Sequence, residues 1–208
     1  MLFRSHKYAN AVTELGIMGT LKAYIPGNIL SVASKAGIAY MRKDFPTLME
    51  LLIDAEMKMF HDLNTPVIFL QNVIVDLLMG LGTDEIFVHY VNYIKEKYNA
   101  SPGFITMNLP KMVDLCERLD IENPIICSSI NKIGFRMSGS NEIYEDYLNS
   151  DKEFRPMAMQ CLAAGALKPE EAMEYVCRFP KIESVLFGAS SRAHIQQIKD
   201  LVESYSQK

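Results

Sequence analysis

Polar side chains close several apolar stretches of this sequence, and their types suggest what chemistry they could do. Lys22 ends a moderately apolar stretch, whereas Gln71, Asn108 and Asn131 lie at the ends of strongly apolar ones. A lysine in a partly apolar environment has a lowered pKa, so Lys22 could polarise a neighbouring group or form a Schiff base. The three carboxamides both donate and accept hydrogen bonds but do not move protons at neutral pH. We therefore take Lys22 and Gln71 as candidate catalytic residues and the two asparagines as candidate contacts to a ligand that carries a carboxamide group.

The same residue types also have purely local roles. Asparagine begins helices and turns, glutamine satisfies loop backbone, and lysine is most often a solvated surface charge. Three further cations follow the strand ends and could clamp an anion, namely Lys111, Lys132 and Arg136. Each of these assignments therefore has a structural alternative that only the fold can decide.

The strongest local candidate site is the run Gly188, Ala189, Ser190, Ser191 and Arg192. It lies between an apolar stretch and a helical pattern at 191–205, so it predicts the start of a helix. A helix start exposes unpaired backbone N–H groups and a partial positive charge, glycine lets a phosphate come close, and the serines add hydroxyl donors. One of the serines is also the expected helix cap. We predict that this run binds an anion such as a phosphate group.

These candidates depend on a repeated pattern of short apolar strands that lead into amphipathic helices. Near-continuous apolar runs are typical of strands buried on both faces, and helices between them indicate parallel βα units. The pattern predicts an α/β fold, either a barrel or a doubly wound sheet, with ligands at the carboxyl ends of the strands. The five clearest strands are TPVIFLQN (65–72), PGFITMN (102–108), NPIICSSIN (123–131), RPMAMQC (155–161) and ESVLFGASS (183–191).

Further elements complete the predicted order. The first 43 residues contain a helical pattern at 6–15 and a sixth, less apolar strand at 17–25, and another helix begins near Asp44 with Pro46 in its first turn. Later helices are predicted at 72–81, 84–99, 109–119, 141–149, from Lys168, and at 191–205. About six strands fall short of the eight that close a barrel, so the prediction is an open sheet or a barrel completed by a partner or by upstream sequence.

Composition excludes several classes of protein. The 208 residues suit a single domain, residues 1–208, and 49% apolar with 22% charged residues is close to the globular average. A net charge of -4 without a Lys/Arg cluster argues against nucleic-acid binding. The four cysteines and four histidines lack metal-site spacing, so we expect no metal and place the cysteines in the core. Without a recognisable signal peptide or membrane span, we expect a soluble, cytoplasmic protein that binds a small molecule and no membrane.

Read in order, these segments resemble the later two-thirds of an aldo-keto reductase barrel. FGASSRAHIQQIKDL is similar to the family's final strand and helix, CLAAGAL to its strand-seven turn, and ITMNLPKMVDLCERL to its Ser-Asn turn, with Asn108 in the asparagine's place. Lys22 falls where the family has its catalytic lysine, and Gln71 falls where it has its catalytic histidine. The family's first two strands, with its catalytic aspartate and tyrosine, have no counterpart here.

The resemblance implies a divergent, incomplete TIM-barrel-like fold that binds NADP(H), with Gly188 to Arg192 holding the adenosine phosphate. It implies oxidoreductase chemistry, namely reduction of a small carbonyl compound, with Lys22 as the surviving polarising residue. Two other functions are consistent with the residues. One is a lyase or aldolase that uses Lys22 as a Schiff-base amine on a phosphorylated metabolite, and the other is a non-catalytic barrel protein. An incomplete barrel also has free edges through which a homo-oligomer could form.

Overall fold

The structure is a computed structural model that describes residues 44–60 and 62–206. The helix predicted at 6–15, the strand predicted at 17–25 and the candidate Lys22 lie outside the described residues. Within them, helices and strands alternate along the chain. The elements are α1 (Phe45–Met57), β1 (Val67–Leu70), α2 (Asn72–Leu81), α3 (Asp84–Tyr98), β2 (Ser101–Thr106), α4 (Leu109–Arg118), β3 (Ile125–Ser129), α5 (Asn141–Asn149), β4 (Arg155–Met159), α6 (Pro169–Cys177), β5 (Ser184–Leu186) and α7 (Arg192–Ser206).

The five described strands form one parallel sheet in the order β1-β2-β3-β4-β5. The register pairs Phe69 of β1 with Gly103 of β2, and Gly103 in turn with Ile125 of β3. All five strands that the apolar runs predicted are confirmed, as is the mixed α/β class with a parallel sheet. Helices separate them because parallel neighbours need a crossover connection.

One face of the sheet packs against the helices. Phe104 in β2 and its partner Ile126 in β3 are fully buried on this face. The ring centroid of Phe104 lies 5.6 Å from that of Tyr90 and 6.0 Å from that of Phe87, both in α3. The Tyr90 hydroxyl donates to the backbone oxygen of Ile68 at 2.6 Å, which satisfies its polar atom inside the core. These contacts fix α3 over β1 and β2.

The start of α1 follows from its sequence. The carboxylate of Asp44 accepts hydrogen bonds from the backbone N–H of Thr47 at 3.1 Å and from the Thr47 hydroxyl at 2.8 Å. Pro46 occupies the first turn, where its missing N–H costs nothing. The predicted boundary near Asp44 is therefore confirmed.

A polar cluster fastens α1 to α3. The carboxylate of Asp54 accepts hydrogen bonds from the Tyr93 hydroxyl at 2.5 Å, the Tyr98 hydroxyl at 2.6 Å and the Lys97 ammonium at 2.6 Å. Burial alone would raise the pKa of Asp54, but the hydrogen bonds from Lys97, Tyr93 and Tyr98 together hold this pKa below its usual value. The folded state therefore favours the ionised carboxylate.

This cluster predicts an acid-sensitive contact between α1 and α3. A carboxyl whose pKa is lower in the folded than in the unfolded state stabilises the fold above its unfolded pKa of 3.8. That stabilisation is lost as the pH falls from this value through the lower folded pKa. We expect Asp54→Asn to flatten the dependence of Tm on pH below about pH 4, as measured by circular dichroism. Asp146→Asn, which neutralises an exposed acid on α5, is the control, and an equal flattening in both variants would contradict the prediction.

Candidate functional site

The carboxyl ends of the five parallel strands share one edge of the sheet, hereafter the carboxyl edge. Gln71 directly follows β1, while Asn108 and Asn131 follow the neighbouring strands β2 and β3 by two residues each. The run from Gly188 to Arg192 follows β5 at the far side. Since β1 and β5 are separated by four inter-strand steps, they lie about 19 Å apart at 4.8 Å per step. The fold thus brings the two asparagines onto neighbouring strands. Gln71 and the anion-binding candidate lie on the two outermost described strands, at the two ends of the carboxyl edge.

Gln71 is exposed and precedes α2 without using its side chain as a cap. Its carboxamide therefore makes no capping hydrogen bond at the start of α2. Gln71 also lines an apolar cavity beside β1. The partner residue in the predicted catalytic pair, Lys22, lies outside the part of the chain that the structure describes.

Asn108 has a local role. Its Oδ1 accepts a hydrogen bond from the backbone N–H of Lys111 at 3.2 Å, which caps the start of α4. Its own N–H donates to the Thr106 hydroxyl at 2.9 Å. The side chain is half-buried, and no hydrogen bond engages its Nδ2 within the described residues. Capping therefore occupies the oxygen of the carboxamide and leaves its nitrogen for a ligand.

Asn131 is fully buried and closes the loop after β3. Its Oδ1 accepts from the backbone N–H of Phe135 at 2.8 Å, and its Nδ2 donates to the backbone oxygen of the same residue at 2.8 Å. The side chain of Asn141 donates to the backbone oxygen of Asn131 at 3.1 Å. The structure gives Asn131 a structural partner for each end of its carboxamide, and its contact with a cofactor stays a prediction.

The three candidate anion clamps have diverse surroundings. Lys111 donates to the backbone oxygen of Met79 at 3.0 Å, and Lys132 forms an ion pair with Glu171 at 2.7 Å. The guanidinium of Arg136 lies 5.6 Å from the ring centroid of Phe135. Lys111 and Lys132 therefore already bond to oxygen atoms of the protein, whereas the contact of Arg136 is with an aromatic ring.

The residues from Gly188 to Arg192 form the predicted helix start. Ser191 caps α7 by accepting a hydrogen bond from the backbone N–H of His194 at 3.2 Å, and the Ser190 hydroxyl lies 3.4 Å from Nδ1 of His194. A Cβ atom added at Gly188 would meet no atom within 4 Å. Ala189 is half-buried, whereas Ser190, Ser191 and Arg192 are exposed. The first turn of α7 is thus open to an anion, which could approach its N–H groups and the Arg192 guanidinium.

A buried network at the end of β2 has no counterpart among the sequence predictions. One carboxylate oxygen of Asp76 in α2 accepts from the Thr106 hydroxyl at 2.5 Å, and the other accepts from the Met107 N–H at 3.2 Å. Thr106 is fully buried. The Tyr144 hydroxyl donates to the Met107 oxygen at 2.7 Å from the opposite side. This network fixes the backbone that presents Asn108.

Ser129 and Gln160 form a second polar pair at the carboxyl edge that sequence reasoning missed. The fully buried Ser129 hydroxyl lies 3.2 Å from Oε1 of Gln160 and 3.2 Å from the sulfur of Met107. Gln160 has a φ of 55°, and Ala163 and Ala164 in the following turn also have positive φ. This left-handed backbone costs about 1 to 2 kcal/mol for a residue with a Cβ atom. Strain of this kind is common at functional sites, but Asn99, Asp120 and Asn123 on the amino side of the sheet also have positive φ, so it does not by itself mark the carboxyl edge.

Three of the four cysteines are core residues, and the fourth, Cys177, is half-buried. Burial raises the pKa of Cys116, Cys127 and Cys161 to about 12, so these thiols stay protonated and unreactive at neutral pH. Cys127 lies in β3, and Cys161 follows β4 by two residues instead of lying within it as predicted. Within the described ranges, no three His, Cys, Asp or Glu side chains are grouped to hold a metal ion. Nor does any described helix have the length and apolar character needed to cross a membrane.

Comparison of the chain with protein-family models, with curated proteins and with solved structures finds no match in any of the three. The function must therefore be argued from the carboxyl edge and from the motifs of the sequence.

Proposed function

We propose that this chain is an aldo-keto-reductase-like protein of TIM-barrel type that binds NADP(H) along the carboxyl edge. The cofactor phosphate would bind the start of α7, at Gly188 to Arg192. The nicotinamide ring would lie toward Asn108 and Asn131. The observation that carries the proposal is the open, capped start of α7 at the same sheet edge as these asparagines. A dinucleotide needs such an arrangement because its anionic and carboxamide ends are far apart.

The strand order supports the barrel. A doubly wound sheet reverses its strand order at a switch point. The five described strands instead follow one another in sequence order without a reversal. With right-handed crossovers this order keeps the connecting helices on one face, as in a barrel wall. Five strands would then form part of the wall, with the remaining strands supplied by other parts of the chain or by a partner.

The proposed reaction is reduction of a small aldehyde or ketone. The nicotinamide, placed toward Asn108 and Asn131, would supply the hydride for the carbonyl carbon, and a proton would be needed at the carbonyl oxygen to give the alcohol. Lys22 would polarise the carbonyl, and Gln71 would hydrogen-bond to it without supplying the proton. The proton donor would be solvent or a group beyond the described residues.

The first test is a titration of the full chain into NADPH and NADH, followed by nicotinamide fluorescence. The chain has no tryptophan, so its own emission does not interfere. We expect saturable enhancement that weakens roughly tenfold or more in the double variant Ser191→Ala with Arg192→Ala, since a helix cap and a phosphate-binding cation are lost together. The control is Ser204→Ala with Lys199→Ala, which removes a serine from the last turn of α7 and a basic residue from its middle, away from its start. No binding of either cofactor at millimolar concentration would contradict the proposal.

A non-catalytic binding protein is the second candidate. Thr106, Ser129 and Asn131 are fully buried at the carboxyl edge, and each hydrogen-bonds to the protein itself. This arrangement favours a rigid binding surface over a set of groups that move protons. Turnover of a carbonyl panel with NADPH, lost in Lys22→Ala and reduced in Gln71→Ala, would favour the enzyme. Cofactor binding without turnover in the intact protein would favour the binding protein.

A further inference from the structure

An apolar groove lies beside β1, away from the proposed phosphate site. It has a volume of about 350 Å³ and is bounded by α1, β1, α2 and α3. Phe45, Leu52, Phe69 and Ile74 contribute apolar side chains to its wall, and two polar residues, Glu56 and Gln71, line it as well. This volume falls within the range of small-molecule sites.

The two polar residues lie at opposite ends of the groove. Phe45, Leu52 and Glu56 share one face of α1, and the helix rises about 16 Å from position 45 to position 56. The pairs Glu50–His89 and Asp54–Lys97 show that α1 runs parallel to α3, whose last residues lead into the amino end of β2. Glu56 therefore lies toward the amino ends of the strands, whereas Gln71 lies at the carboxyl edge. The groove is therefore elongated, with a carboxylate near one end and a neutral carboxamide near the other.

The apolar wall is open to solvent. Phe45 is 54% exposed, Leu52 50% and Ile74 37%, although all three line the same groove. Contiguous exposed apolar side chains of this kind mark binding sites more often than ordinary surface. An apolar body that filled the groove would remove them from water.

Glu56 gives the groove its charge preference. Within the described residues, no hydrogen bond or ion pair engages its carboxylate, and desolvation raises the pKa of this group above its usual value. The residue as a whole remains exposed, so a ligand can reach the carboxylate. A cationic group beside Glu56 would offset the cost of its desolvation, whereas an anion would be repelled.

We propose that this groove binds a small amphipathic amine, with its alkyl or aryl body against Phe45, Leu52 and Ile74 and its ammonium group on Glu56. One end of the groove shares Gln71 with the reaction site proposed above, but the amine is assigned to Glu56 at the other end, and its binding does not require NADP(H). The groove should therefore select ligands by the positive charge of the head group and by the length of the apolar body.

The test uses three ligands of equal chain length and different head groups, namely octylamine, octanol and octanoate, titrated into the full chain by calorimetry below their aggregation limits. We expect octylamine to bind most tightly and octanoate least tightly. Glu56→Gln should weaken octylamine about fivefold, as expected for a partly exposed ion pair, and leave octanol unchanged. Glu96→Gln neutralises an exposed acid on α3 outside the groove and is the control. Leu52→Trp, which fills the groove, should weaken all three ligands.

Equal affinity for the three ligands, or an unchanged preference for octylamine in Glu56→Gln, would overturn the proposal. Failure of all three to bind would overturn it too and would indicate that the groove is filled by another segment of this chain or by a second copy. Sedimentation analysis would separate those two occupants. Circular dichroism of each variant checks that it remains folded, and neither substitution at the exposed Glu56 or Glu96 removes a core contact.

Discussion

Replacement of Asp76 by alanine should lower the free energy of unfolding by about 3 kcal/mol, because two donors at the end of β2 lose a charged acceptor. The Thr106 hydroxyl and the Met107 N–H both donate to this carboxylate, and Thr106 is fully buried. Asp76 itself is half-buried, so its removal leaves the two donors with at most partial access to water. For a chain of this size we expect Tm to fall by roughly 6 to 12 °C, as measured by thermal and urea unfolding.

The control for this prediction is Asp146→Ala, which removes an exposed acid from α5 and should change stability by less than about 0.5 kcal/mol. A double-mutant cycle with Thr106→Val isolates the bond between the two side chains, for which we expect a coupling of about 1 to 2 kcal/mol. Asp76→Ala that unfolds like the wild type would show that the carboxylate does not hold the end of β2. In that case Tyr144 and the Thr106 hydroxyl would hold the backbone that presents Asn108.

The element order could be predicted because its signals are local. Each strand is a short apolar run, and turn residues and helix caps separate the runs, so neither needs knowledge of distant residues. Asp44 and Pro46 define the start of α1, and Ser191 caps α7, as their positions in the sequence indicated. Parallel pairing followed from the helices between strands. The sequential strand order did not follow, since the apolar runs suit a barrel and a doubly wound sheet equally well.

The site was harder to predict because its side chains are defined by partners far away in sequence. Asp76 lies 30 residues before Thr106, and nothing in the pattern of α2 indicates that its one acid faces the sheet. Ser129 and Gln160 both close apolar runs, but the sequence does not indicate that their side chains meet, because they lie 31 residues apart. The left-handed backbone of Gln160 has no sequence signal at all, since glycine or asparagine would be expected there. Tertiary contacts decide the roles of these side chains, and local sequence patterns do not reveal such contacts.

Asn131→Ala should separate the structural role of this residue from its predicted contact with a cofactor. The substitution removes both hydrogen bonds to the backbone of Phe135 inside a fully buried site. We expect a loss of about 3 kcal/mol in the free energy of unfolding, because the N–H and C=O of Phe135 are left with no partner there. Urea unfolding by circular dichroism measures this loss.

Two other asparagine variants serve as comparisons for the loss of stability in Asn131→Ala. Asn108→Ala removes a helix cap and should cost about 1 kcal/mol, whereas Asn149→Ala, at the exposed end of α5, should cost less than about 0.5 kcal/mol. If Asn131 only closes the loop, the apparent NADPH affinity of the variant, measured well below its Tm, should fall only to the extent that the variant is unfolded. If Asn131→Ala keeps its stability but loses NADPH binding, the carboxamide contacts the cofactor and the hydrogen bonds to Phe135 are dispensable. The loop after β3 would then be held by Asn141 and its neighbours, and the Asn131 carboxamide would be available to a ligand beside the Nδ2 of Asn108.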